Sequence, residues 1–222
     1  MSDKFFFYSK SADKKPGKGT NEYVKNPNDY KDLETIPEWR KCLSNFYISP
    51  FELDDEIWNS VEHYFHAVKF RNGKKQGKNY DFYKTFALNS DSPWCLDPVN
   101  AKQAGKAGRI SEMTGKVYDK KIGTEKVPKD VGMREDFYRN SIDKKLQKLA
   151  FLAKFTQNPE LKRILLATND AELWHYVGRG APNQLWEGLM VVRNCIRKYD
   201  NVYNLQEISK FSTETVSKVL ND

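Results

Sequence analysis

Between Ser60 and Phe70 the chain reads Ser-Val-Glu-His-Tyr-Phe-His-Ala-Val-Lys-Phe. On a helix Glu62, His66 and Lys69 fall at i, i+4 and i+7, a polar stripe beside an aromatic and aliphatic one. A carboxylate so placed can stabilise developing positive charge and position or deprotonate water. The same letters have a structural reading that spacing by itself favours: Asn59-x-x-Glu62 is a capping box, in which Glu62 closes the start of the helix. His63-x-x-His66 has no carboxylate partner in metal-ligand spacing, so His63 reads as a structural hydrogen-bonder. No Cys–His pattern for nucleophilic catalysis is present, and neither a metal nor a cofactor is expected. Gly178-Arg179-Gly180 lies between an expected strand and an expected helix. Amides at a helix N-terminus together with an arginine hold phosphate; an ordinary glycine turn fits these residues equally well.

The elements that must position these residues follow from the patterning. Phe5-Phe6-Phe7-Tyr8 reads as a buried strand. Residues 10–41, rich in Lys, Asp, Asn, Gly and Pro, read as a long surface excursion. Phe51–Leu53 and Ile57-Trp58 flank Asp54-Asp55-Glu56 as a hairpin with a tight acidic turn. A helix starts near Asn59 or Ser60, runs past Phe70 and stops at Asn72-Gly73, where Arg71, Lys74, Lys75 and Lys78 make a basic loop. A second helix spans 98–109. A third carries Ile142, Leu146, Leu149, Ala150 and Ala153 on one face. Asn158-Pro159-Glu160 starts a fourth, which runs to about Thr168. Leu173–Val177 is a strand, and Pro182 opens a helix with Leu185, Leu189, Val192 and Ile196. Leu205–Leu220 can form one more amphipathic helix. Helices with a few short strands between them make an α+β chain, mostly helical: one domain over 1–198, with 10–41 inserted, and a helical tail over 199–222.

Composition bounds the function. The 222 residues carry 37 Lys and Arg against 30 Asp and Glu, a net charge of +7, which favours polyanionic partners. The bias is local: 99–134 holds nine Lys or Arg and four acids. Aromatic residues make up 14%, enough both for a core of large side chains and for a cleft that stacks on bases. Cys42, Cys95 and Cys195 are odd in number and far apart, which argues against a disulfide framework and for a reducing compartment. Neither a signal peptide nor a membrane span is visible. A soluble, intracellular (cytoplasmic) monomer is expected.

The stretch from Ser44-Asn45-Phe46 through Trp58 to Glu62-His63-Tyr64-Phe65, Ala67 and Lys69-Phe70 resembles the signature of the NADAR family of YbiA-like N-glycosidases. Phe7-Tyr8 matches the family's opening pair. Ala153-Lys154-Phe155, Leu165–Thr168 and the Asn183–Arg193 segment are weaker matches, so the resemblance spans about residues 5–198. It implies a YbiA-like fold and a catalytic role for Glu62. It also implies that Tyr8, Asn45, Phe46, Trp58, Lys69, Lys106, Arg109, Trp174, Gly178, Arg179, Gly180 and Asn183 line a substrate site. Breaking a C1′–N bond builds oxocarbenium character on the ribose, which a carboxylate stabilises. A first-turn glutamate favours the ionised form that such a role needs.

The chain departs from the family pattern at Trp174–Pro182, where many relatives carry an aspartate and this sequence has no carboxylate. No second acid is assigned. The tryptophan that relatives place before the 142–155 helix also lacks a counterpart, Phe137 being the nearest aromatic. The resemblance implies hydrolysis of an N-ribosidic bond in an ADP-ribosyl adduct, with ADP-ribose on guanine in DNA or RNA fitting the basic segments. The alternatives are an N-glycosidase of phosphoribosylamine-type riboflavin intermediates and a non-catalytic ADP-ribose or NAD sensor, for which the missing aspartate argues.

Overall fold

Short apolar runs form the strands and longer runs of 3.6-residue period form the helices. In chain order they are β1 (Lys4–Phe7), α1 (Lys31–Glu34), α2 (Trp39–Cys42), β2 (Phe51–Leu53), β3 (Glu56–Trp58), α3 (Val61–Ala67), α4 (Lys78–Lys84), α5 (Pro98–Ala104), β4 (Lys121–Ile122), β5 (Glu125–Lys126), α6 (Ile142–Gln157), α7 (Pro159–Ala167), β6 (Glu172–His175), β7 (Gln184–Leu185) and α8 (Glu187–Tyr199). The described residues also include 3-10 segments at Pro27–Tyr30, Val68–Phe70 and, after α8, Leu205–Lys210. This computed structural model describes all residues except Lys74, Arg179, Asn201, 211–215, 217–219 and 221–222, and it describes 208–210 without their side chains. The class is α+β, as expected. The chain divides into two units, one built from both ends (Met1–Tyr47 and Phe151–Asp222) and one continuous (Ile48–Ala150). No described helix is long and apolar enough to cross a membrane.

The unit built from the ends is organised on a three-stranded sheet in the order β1-β6-β7. β1 is parallel to β6, and β7 is antiparallel to β6. Phe5, Phe7 and Leu173 point into the core. The Phe5 ring meets Tyr30 and Trp39 edge-on at 4.9 and 5.0 Å. The expected surface excursion over 10–41 is thereby corrected: it forms α1 and α2 and buries Tyr30, Leu33, Ile36, Trp39 and Arg40. Its polarity misled because two of its charged residues are satisfied inside. Glu22 and Arg40, with side chains almost wholly out of solvent, form an ion pair at 2.6 Å. The expected helix start at Pro182 is also corrected. Gln184-Leu185 pairs with β6 first, and α8 begins at Glu187. The tail turns through Leu205–Lys210, and the remainder of the helix expected to Leu220 lies almost entirely outside the described residues.

In the continuous unit the expected hairpin is β2–β3. Asp54 and Asp55 adopt left-handed φ of 57° and 65°, the conformation a two-residue turn requires for its twist to match the strands. Asp97 caps α5 by accepting from the Val99 amide at 2.8 Å, with Pro98 at the first helical position. α5 ends at Ala104, earlier than the expected 109. The basic segment that follows contains the small β4–β5 hairpin, which the patterning did not announce. Phe70, Phe82, Phe86 and Trp94 form an aromatic core, with Phe70 and Phe82 rings 4.8 Å apart.

Candidate functional site

Ser60 is extended and serves as N-cap of α3. Its hydroxyl contacts His63 Nδ1 at 2.7 Å rather than a backbone amide. The capping-box expectation therefore fails: Asn59 donates to the Leu96 carbonyl at 3.0 Å, and the Glu62 carboxylate turns along the helix. Glu62 Oε1 lies 3.0 Å from His66 Nε2, and His66 Nδ1 lies 2.9 Å from Lys69 Nζ. The polar stripe is a hydrogen-bonded chain. All three side chains are buried, each less than a tenth exposed. The Lys69 ammonium also sits over the Phe65 and Phe137 rings, at 5.3 and 5.9 Å, a favourable contact with the negative ring faces.

The electrostatics follow from that geometry. Burial pushes the Glu62 carboxyl up. The His66 hydrogen bond and the charges of Lys102 and Lys69 outweigh it, so Glu62 ends below its ordinary value. Burial lowers His66 against the pull of Glu62, so the ring is neutral. Burial chiefly, with Arg109, Lys102 and Lys106 adding repulsion, brings Lys69 down to about 8. His63, buried beside them, is pushed down to about 4, first by burial. Its Nε2 has no hydrogen-bond partner among the described residues. The arrangement holds one carboxylate ionised in a dry, cationic setting, where its charge acts more strongly than in water.

Lys106 and Arg109 line a surface cavity of about 370 Å³ with Ser111, Lys116 and Tyr118. Lys106 Nζ stands 5.7 Å over the Tyr118 ring. Among the described residues no group of three or more His, Cys, Asp and Glu is placed to hold a metal.

The other unit carries a separate aromatic feature. Strand pairing puts Phe6 beside Trp174, stacked at 6.0 Å, and Tyr8 beside Tyr176 at 5.1 Å. Phe6, Tyr8 and Tyr176 line a cavity of about 280 Å³ with Ser11, Thr20 and Asn21. In the same unit Asn45 Oδ1 is buried without a hydrogen-bond partner among the described residues, and Phe46 is half-buried, its amide donating to Ser44 Oγ at 3.2 Å.

No family model matches the chain, and no curated protein matches it. Among solved structures it is similar to the NMR structure of the E. coli protein YbiA, with a TM-score of 0.51 and 20% identity, over 96% of this chain and 92% of YbiA. The chain has a YbiA-like fold. At that identity the likeness is one of architecture, and it extends over both units.

Within this YbiA-like fold the expected site residues fall into separate groups. Glu62, Lys69, Lys106 and Arg109 belong to the continuous unit, and the last two are close enough to repel charge on Lys69. Tyr8, Asn45, Phe46, Trp174, Gly178, Gly180 and Asn183 belong to the other. Trp58 is corrected to a core residue: it is fully buried and its indole N–H donates to the Leu53 carbonyl at 2.8 Å, closing the hairpin. The phosphate reading of Gly178-Arg179-Gly180 loses its expected helix N-terminus, because β7 intervenes between these glycines and α8. Arg179 lies outside the described residues. Trp174 donates to Glu172 at 2.9 Å and is held in the aromatic ladder. The sequence reading places His66 in the polar stripe, at i+4 from Glu62, but misses its role in the site. It also missed Lys102 and Tyr176.

Proposed function

We propose that this chain is an N-glycosidase that hydrolyses the N-ribosidic bond of an ADP-ribosyl adduct, with Glu62 as the catalytic carboxylate. The observation that carries the proposal is a buried glutamate kept ionised by its hydrogen bond to a neutral histidine and by Lys69 and Lys102. As the C1′–N bond breaks, positive charge develops on C1′ and the ring oxygen. A desolvated anion stabilises that state more than the neutral ground state, which is what lowers a barrier. The same carboxylate can orient and deprotonate the attacking water. Lys106 and Arg109 suit a pyrophosphate. With these residues extending along a basic segment, ADP-ribose on guanine in nucleic acid is the preferred substrate class.

A second reading, a small phosphoribosylamine-type substrate, is favoured by one observation. Much of the basic surface neutralises itself: Lys75 pairs with Asp55, Lys78 with Asp130, and Lys126 and Lys129 with Asp119. The test of the proposal is turnover of ADP-ribosylated DNA by the wild type and Glu62→Gln. The substitution keeps size and removes charge, so turnover is expected to fall about 10³-fold or more with ADP-ribose affinity retained. Activity within a few-fold of wild type would remove Glu62 from the chemistry.

A further inference from the structure

We infer that His66 is a positioning residue: a neutral ring, locked in one tautomer, that transmits the hold of Lys69 to the Glu62 carboxylate. This rests on the reading of Glu62 as the catalytic group and deepens it. The direction of the chain is dictated by donor chemistry. An ammonium has only donors, so at 2.9 Å from Lys69 Nζ the Nδ1 atom of His66 accepts. A neutral ring accepting at Nδ1 carries its proton on Nε2, 3.0 Å from Glu62 Oε1, and donates it there. A protonated ring would aim an N–H at the ammonium, which burial and Lys69 both oppose.

The ring is held from the opposite side as well. α3 and α5 pack on each other, and α5 presents Ala101 and Ala104, both fully buried, followed by Gly105. A Cβ on Gly105 would lie 2.2 Å from His66 Nδ1 and 2.6 Å from its Cγ. The imidazole therefore lies against the Gly105 backbone, in the space that a side chain at this position would take. A glycine here serves close approach; its φ is −62°, within reach of any residue. The charged and titratable groups around the ring are Glu62, His63 and Lys69 on its own side, and Asp97, Lys102, Lys106 and Arg109 from α5 and its flanks. Asp97 acts on His63, and the three cations all disfavour charge on His66 or Lys69. Among them the carboxylate of Glu62 is pinned in one rotamer and kept as the anion.

The test uses the isotope-labelled full chain. Long-range proton–nitrogen correlation of the histidine rings is expected to show His66 as the Nε2–H tautomer at pH 7; an Nδ1–H tautomer or an imidazolium there overturns the inference without any variant. Carboxyl-carbon titration is expected to place the Glu62 midpoint about one pH unit or more higher in His66→Leu and in Gly105→Ala. His66→Gln, which keeps one acceptor and one donor, is expected to restore most of the difference. The acid limb of the kcat profile should move with the midpoint while KM stays within about two-fold. An unmoved Glu62 midpoint in His66→Leu, with turnover intact, removes the relay and leaves the glycosidase reading standing. The expected tautomer and midpoints, with no turnover of any N-riboside, leave the relay and remove that reading.

Discussion

Each unit buries a lysine, and the two are satisfied in different ways. Lys154, in α6, is fully buried and donates to the carbonyls of Cys42 and Ser44 at 2.7 and 2.9 Å, with the Phe155 and Tyr47 rings at 5.0 and 5.5 Å. Its donors end on backbone, which cannot move without the fold moving. Lys69 ends on an imidazole that ends on a carboxylate. The same contrast holds for the buried acids. Glu22 is enclosed by the Arg40 guanidinium and by the amides of Phe6, Gly17 and Gly19, a set that spends its charge on holding one loop. Glu62 is held by another side chain, His66, which is held in turn by Lys69, a cation whose proton affinity burial lowers. A buried charge bound to backbone organises a fold; one bound to a chain of side chains organises a site.

Arg40→Met sharpens the contrast most. It strands the Glu22 carboxylate in the interior, and about 3–5 kcal/mol of unfolding free energy should be lost, measured by urea unfolding. A loss below about 1 kcal/mol would mean that Glu22 is solvated in solution.

Lys154 makes the next largest difference, through pH. Its amine titrates at about 7 when folded, with burial as the main cause, and near 10.5 when unfolded. Between those values the unfolded chain holds the extra proton, so stability should rise with pH across that window, by an amount on the order of a few kcal/mol. Lys154→Met should flatten the rise relative to wild type; parallel stability curves for the two proteins would refute the buried amine.

The smallest effect concerns the basic surface. Replacing Lys74, Lys75 and Lys78 by Ala should weaken processing of ADP-ribosylated DNA by roughly three- to ten-fold and reduce its salt slope, leaving free ADP-ribose binding unchanged. Equal salt slopes for the two ligands would favour the small-substrate reading, to which the Lys75–Asp55 and Lys78–Asp130 pairs already lend weight.

Local signals were legible wherever the deciding contact lies within a few residues. The acidic turn at Asp54-Asp55, the Asp97-Pro98 start of α5, the Asn158-Pro159 start of α7 and the stripe of Glu62, His66 and Lys69 all follow from spacing and turn chemistry. The errors share the opposite character. Residues 10–41 looked like surface because they are rich in Lys, Asp, Asn, Gly and Pro, and nothing nearby shows that Glu22 and Arg40 will pair and be buried. Pro182 looked like a helix start because nothing nearby shows that Gln184-Leu185 will pair with β6. Asn59 and Glu62 satisfied a capping pattern whose donors and acceptors were taken elsewhere, by Leu96 and His66.

The sequence by itself determined the periodicities, the caps and the one-sided placement of three ionisable groups, because a helix sets i, i+4 and i+7 side by side whatever surrounds it. Only the tertiary structure decided that those groups would be dry and would bond in one order. That outcome depends on α5, some forty residues further along, laying Gly105 against the His66 ring and Lys102 within reach of Glu62. Desolvation and close approach arise between segments distant in sequence, and they turn a polar stripe into a charged chain with a direction.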